Sequence, residues 1–225
     1  MHIRVEYRVR PDLKFLANLD MLRLLERSLR RAGIPYKLSQ GFNPHPRLSV
    51  GTVLPVGVWG EREYFDLELA TMPEPEFMAR MNAALPPGIT VTACREIEPD
   101  APSLMKMINA AEYAFLIRGH KDDLLLILAS ISSQEELIVQ SHGKNKNRPK
   151  DLRPGIYALQ TEPAGENDLI SALVSVNEPV NVRFDEILEL LNNYGIKADS
   201  ILDFWRRGNY VRRDGMFLSP LEYKL

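Results

Sequence analysis

Ile3-Arg-Val-Glu-Tyr-Arg-Val9 alternates apolar and polar residues without a break. Asn18-Leu-Asp-Met-Leu-Arg-Leu-Leu-Glu-Arg-Ser-Leu-Arg-Arg-Ala-Gly33 then changes the period from two to that of a helix. The first segment predicts a half-buried strand, with Ile3, Val5, Tyr7 and Val9 inward and Arg4, Glu6, Arg8 and Arg10 outward. The second predicts a helix over 18–32, with Asn18 as N-cap, Gly33 as the stop and an apolar stripe of Leu19, Leu22, Leu25, Leu29 and Ala32. Arg23, Arg27, Arg30 and Arg31 fall largely off that stripe.

Working outward, short extended segments follow at Tyr36–Ser39 and Arg47–Leu54 around a loop rich in Gly and Pro. Glu63–Leu69 alternates again, with Phe65, Leu67 and Leu69 inward. Glu74–Leu85 brings Phe77, Met81, Ala84 and Leu85 together at helical spacing, and Ile89–Ile97 reads as a further strand. The order β-α-β-β-α-β over residues 1–98 is that of a ferredoxin-like unit. Pro99–Pro102 reads as a linker, after which a similar order recurs less regularly. It runs through a strand at Glu112–Arg118, a helix at Lys121–Ser132, strands at Leu137–Ser141, Ile156–Thr161 and Asp168–Val176, a helix at Arg183–Tyr194 closed by Gly195, and an extended segment at Ile201–Arg206. The expectation is an α+β protein of two tandem ferredoxin-like units, residues 1–98 and 99–225.

The chain has 225 residues, 45% hydrophobic and 26% charged, which excludes collagen-like and disordered classes. One cysteine, Cys94, permits no intrachain disulfide, no zinc ribbon and no iron–sulfur cluster built from this chain's thiolates alone. No apolar run is long enough for a transmembrane helix and the first residues do not read as a signal peptide, so a cytoplasmic protein is expected. The net charge of −2 conceals segregation: residues 1–50 carry ten Lys/Arg against four Asp/Glu, and 144–153 carry five against one. Residues 204–225 carry five against two, whereas 51–143 carry six against fourteen. Three basic islands in an acidic chain point to a polyanion-binding surface, or to three solvated patches.

Chemistry concentrates in Ser39-Gln-Gly-Phe-Asn-Pro-His-Pro-Arg-Leu-Ser49. Pro44 and Pro46 stiffen the backbone, Phe42 offers a stacking face, Asn43 a donor and an acceptor, and Arg47 a planar fork for phosphate. That set suits single-stranded nucleic acid; the alternative is a rigid turn with Phe42 in the core and Asn43 bonded to backbone. His45 is a candidate general acid or base, but His2, His120 and His142 are scattered in sequence, so a hydrogen-bonding loop residue is the other reading. Arg23, Arg27 and Arg30 form one basic ridge for phosphate contact. His142–Arg153 reads as a basic hairpin loop whose Lys144 and Lys146 contact RNA or are solvated. Phe204-Trp-Arg-Arg-Gly-Asn-Tyr-Val-Arg-Arg-Asp-Gly215 interleaves aromatics with arginines, so Arg206 and Arg207 are candidate phosphate ligands; otherwise Arg213-Asp-Gly215 is a turn between two short strands. Phosphate-loop, dinucleotide, zinc-protease and nucleophile-elbow motifs are absent, as is the RNA-recognition-motif signature, and no cofactor is expected.

Leu13-Lys-Phe-Leu-Ala-Asn-Leu-Asp20, the Arg-rich helix, Ser39–Ser49, Leu54-Pro-Val-Gly57 and Glu63-Tyr-Phe-Asp66 together resemble the radical-SAM-linked protein family, a bacterial domain fused to or encoded beside radical SAM proteins. Asn18 stands where that family commonly has His. The resemblance implies a radical SAM partner, whose cluster needs three cysteines, so this chain is not the catalytic half. The tandem architecture is also similar to that of CRISPR-repeat endoribonucleases. The leading expectation is a non-catalytic module that binds tRNA or rRNA and presents it to a radical SAM modification enzyme. The alternatives are a metal-independent endoribonuclease using His45, and a protein-interaction module that docks onto the radical SAM protein.

Overall fold

The computed structural model describes residues 1–119, 123–143 and 148–223. The chain is a mixed α+β protein with mostly antiparallel sheet and few helices. It divides into two compact units: Met1–Ile108 together with Gly208 onward, and Asn109–Arg207. The expected boundary at 98/99 lies before the observed one, and the C-terminal segment returns to the first unit.

In the first unit the elements are β1 (His2–Val9), α1 (Asn18–Arg31), β2 (Leu48–Val50), β3 (Trp59–Glu68), α2 (Glu74–Ala84), β4 (Ile89–Ile97) and the one-turn α3 (Leu104–Met107). β1 lies between β4 and β3, antiparallel to both, and β2 pairs with β3. Inward residues of the sheet, Ile3, Val5, Tyr7, Val9, Phe65 and Leu67, pack with Met21, Leu25 and Leu29 of α1 and Phe77 and Met81 of α2. Burial of this kind supplies the driving force for the unit.

Three expectations need correction here. Ala17, not Asn18, occupies the N-cap of α1. The inner face of α1 is Met21, Leu25, Ser28 and Leu29, whereas Leu19 is 65% exposed. Leucines lie on several sides of this helix, so spacing alone left the stripe a residue ambiguous. Most consequentially, Arg4 does not face solvent: it is 2% exposed. The outer face of the sheet is covered by a second cluster in which Tyr64 packs with Leu104, Met107, Ile108, Val211, Leu221 and Tyr223. Alternation tells which side of a strand a residue takes, not what a later segment lays over that side.

The second unit contains β5 (Ala110–Ile117), α4 (Leu124–Ser132), β6 (Ile138–Gln140), β7 (Pro149–Asp151), β8 (Ile156–Ala164), β9 (Asn167–Ser175) and α5 (Phe184–Asn193). β10 (Ile201–Arg213) gives its first part to this unit and continues from Gly208 in the first, where it pairs with β11 (Met216–Leu218). The strand order here is β10-β5-β9-β8, with β6 and β7 forming a separate hairpin. Phe115, Ile170, Val174, Leu128, Ile187 and Leu191 lie in its core. Gly195, at φ 94°, closes α5 as expected. α4 begins at Leu124, and Lys121 of the expected helix lies outside the described residues. Among the described residues no helix is long and apolar enough to cross a membrane.

Candidate functional site

The Gly-Phe-Asn-Pro-His-Pro-Arg loop closes on itself by short backbone contacts. Ser39 N–H donates to the His45 carbonyl at 2.7 Å, His45 N–H donates to Ser39 Oγ at 3.0 Å, and Leu38 bridges to Pro46. Its base is tied to the sheet: Arg47 N–H donates to the Lys37 carbonyl (2.8 Å), and Glu68 N–H to the Arg47 carbonyl (3.0 Å). The tip therefore projects from an anchored stem whose two prolines limit its freedom. Phe42 at that tip is fully exposed, which excludes it from the core, and Asn43 and His45 are exposed beside it in sequence. His45 makes its described hydrogen bonds through its backbone.

Arg47 points back toward the sheet. The antiparallel register sets His2 against Glu68, Arg4 against Asp66 and Glu6 against Tyr64, so complementary groups meet across one face. Glu68 Oε2 accepts from Arg47 at 2.9 Å and has His2 Nε2 at 3.4 Å and Lys37 Nζ at 4.0 Å. Burial raises the Glu68 pKa, but the Arg47 hydrogen bond and the charges of His2, Arg47 and Lys37 outweigh it and hold the carboxyl below its ordinary range. Beside this cluster opens a cavity of about 310 Å³ lined by His2, Arg47, Ser49, Asp66, Glu68 and Ser103. Glu68 fixes the Arg47 guanidinium in place at the edge of this cavity, whose lining carries the carboxylates of both Asp66 and Glu68.

Deeper on the same face, Arg4 holds Asp66 with both arms, Nε to Oδ1 at 2.8 Å and Nη2 to Oδ2 at 2.9 Å. Its remaining donors reach the Met107 sulfur and the carbonyls of Pro102 and Pro220. Tyr64 donates to Glu6 at 2.6 Å, and burial, then that carboxylate, pushes its hydroxyl far above the ordinary range. The half-buried Cys94 thiol is pushed up to about 11 by burial and then by Glu74, so it is not a thiolate at neutral pH. Among the described residues no group of three or more His, Cys, Asp or Glu is arranged to hold a metal ion.

Arg23, Arg27 and Arg30 of α1 are all exposed. Arg23 lies 3.6 Å from Asp20, and among the described residues Arg27 and Arg30 have no carboxylate within ion-pairing distance. Among the described residues of the other two basic islands, Lys150, Arg206 and Arg207 are buried or engaged within the protein, whereas Arg148, Arg212 and Arg213 are exposed. Lys144 and Lys146 lie outside the described residues. Lys150, on β7, donates to the buried Glu186 of α5 at 2.6 Å and to the Asn181 carbonyl. Arg206 is 2% exposed, which removes it from the candidate phosphate ligands. Arg207 is engaged by Glu112 at 3.3 Å, Glu162 at 3.6 Å and Ser171. Arg212 lies over the Phe217 ring, and Asp214 and Gly215, both at positive φ, turn β10 into β11. Arg213-Asp-Gly215 thus forms the expected turn between two strands, with Arg212 and Arg213 exposed beside it.

His2, Lys37, Ser49 and Glu68 were not legible as site residues, because only the pairing of β1 and β2 with β3 and the Tyr36–Leu69 bridge gather them. The one available signal was the oppositely charged outer faces of those strands.

A family model described as an uncharacterized protein conserved in bacteria (DUF2344) matches residues 2–184. No curated protein matches the chain. Among solved structures the chain is similar to a chain of a Cbf5-Nop10-Gar1 complex, with 13% identity, a TM-score of 0.50, and coverage of 91% of this chain and 47% of that one. It also aligns with a chain of an H/ACA RNP bound to a substrate RNA containing 2′-deoxyuridine, at 12% identity, a TM-score of 0.44, and coverage of 95% and 47%. A third alignment, to an unknown protein from Galdieria sulphuraria, has 12% identity, a TM-score of 0.25, and coverage of 92% and 96%. This chain spans about half the length of the first two. The first likeness is one of fold.

Proposed function

The chain belongs to this bacterial family, and we propose that it binds single-stranded RNA without catalysing its chemistry. The observation that carries the reading is Phe42, a fully exposed aromatic ring on a stem stiffened by two prolines. Exposing that ring to water is unfavourable unless something stacks on it, and a nucleobase does so whatever its identity. Arg47, held by Glu68, lies at the foot of the same stem to meet a phosphate, and Arg23, Arg27 and Arg30 supply further cationic surface. We read each unit as ferredoxin-like on its element and strand order. The sequence resemblance alone supplies the further proposal that the RNA, a tRNA or an rRNA, is passed to a radical SAM modification enzyme.

Titration of the full chain with labelled oligoribonucleotides tests the reading. Binding is saturable and weakens with salt; Phe42→Ala costs about 1–3 kcal/mol, roughly 5- to 150-fold in Kd. Arg47→Ala reduces the salt slope by about one. Unchanged affinity in Phe42→Ala would overturn the reading. On a denaturing gel the RNA stays intact; cleavage that His45→Ala abolishes would replace binding by the endoribonuclease alternative.

A second reading, docking to a protein, is favoured by Phe15, in the turn before α1, and Leu19, in its first turn, which are 73% and 65% exposed. In that reading the loop is a structural corner, and Phe42→Ala leaves RNA affinity untouched.

A further inference from the structure

We propose that a groove between α1 and the α2–β4 turn binds a nucleotide through its phosphomonoester, at a site separate from the Phe42 loop. Arg23, Arg27 and Arg31 recur every four residues, so three guanidiniums line one side of the helix. All three border a groove of about 370 Å³, which falls within the roughly 300–1,000 Å³ of small-molecule clefts. Arg31 is preset there: its Nη2 donates to the Ala84 carbonyl at 2.6 Å and to Ser28 Oγ at 3.2 Å. Neither partner neutralises it.

Charge identifies the ligand. Asp20 is the one carboxylate lining the groove, and it lies 3.6 Å from Arg23. Three cations against one anion leave two positive charges uncompensated. A phosphomonoester carries about −1.5 to −2 at neutral pH, while an internal phosphodiester carries one negative charge. The monoester also presents three terminal oxygens to planar donor forks. The remaining lining, Leu16, Leu24 and Pro86, is half-buried and apolar. That surface has no use for bare phosphate but suits the face of a base or a ribose. A nucleotide with a terminal phosphate satisfies both halves, whether it is free or the end of an RNA strand; only the second source rests on the RNA reading.

Calorimetric titration of the full chain with AMP, adenosine and inorganic phosphate separates the two halves of the groove. AMP binds saturably, and adenosine and phosphate each bind at least tenfold more weakly. Arg27→Glu, at an exposed position with no ion-pair partner among the described residues, abolishes AMP binding while circular dichroism stays unchanged; Phe42→Ala leaves AMP binding intact. Oligoadenylates with a 5′-phosphate, a 3′-phosphate or neither then identify the source. A tenfold gain from one terminal phosphate, absent in Arg27→Glu, assigns the groove to a strand end. AMP binding with no such gain assigns it to a free nucleotide. If AMP binds no better than adenosine or phosphate, or if Arg27→Glu binds it normally, the proposal is overturned. Oligonucleotide binding that depends on Phe42 would still stand in that case, and AMP binding would stand if the oligonucleotides failed to bind.

Discussion

Arg4 is the residue at which local pattern and tertiary environment part. It belongs by alternation to the outer face of β1, yet it is buried and holds Asp66 in a two-armed ion pair. Such a pair costs desolvation on both sides, so its value lies less in net stability than in what happens when one partner goes. Asp66→Ala leaves a buried guanidinium without its counter-charge and is expected to lower stability by about 3–5 kcal/mol. Arg4→Met keeps an unbranched apolar stem and costs less. Adding Arg4→Met to Asp66→Ala should recover part of the loss in urea unfolding; strict additivity of the two changes would show that the pair is not coupled. Phe42 makes the opposite case, an apolar residue that the fold leaves outside.

The elements most exposed to single changes are those closed by one special residue. α1 ends at Gly33, whose φ is 60°, in the left-handed region that favours glycine. A Cβ there would also lie 2.8 Å from Arg80 Nη2. Arg80 bonds the carbonyls of Ala32 and Gly33, tying α2 to the end of α1. Gly33→Ala is therefore expected to cost about 1–3 kcal/mol, combining left-handed strain with loss of these bonds. Gly33→Asn, which tolerates that conformation, costs less in the same thermal unfolding assay. An alanine variant as stable as wild type would refute this account of the helix end. The β6–β7 hairpin is secured differently, by Glu186 of α5 accepting from Lys150 and from the His142 N–H at 3.2 Å, while the same carboxylate caps its own helix by accepting from the Arg183 N–H at 3.0 Å.

At the scale of the whole molecule, the first unit depends on a segment that arrives after the second has been traversed. The Pro220 carbonyl accepts from Arg4, the Leu221 carbonyl from Arg95 at 2.8 Å, and Ser219 meets the Tyr64 hydroxyl. Truncation after Leu218 opens these contacts and strips Leu221 and Tyr223 from the cluster around Tyr64. The expected loss is about 2–4 kcal/mol, read as a lower urea midpoint; an unchanged midpoint would show the segment to be ornamental. The sequence by itself determined the elements with a clean period: β1, β4, α2 and the inner faces of β1 and β3, because period two and period 3.6 report side-chain direction locally. It also marked the proline-stiffened loop and the arginines of α1, whose chemistry needs no partner to be read. Only the tertiary structure decided that Arg4 is covered, that Arg206 is buried and Arg207 paired, that Phe42 is free, and that His2, Lys37 and Glu68 meet at Arg47. Each of those outcomes depends on which distant segment pairs with or covers a strand. No local periodicity carries that information, because strand register and the covering of a second face are set by contacts between residues far apart in the chain.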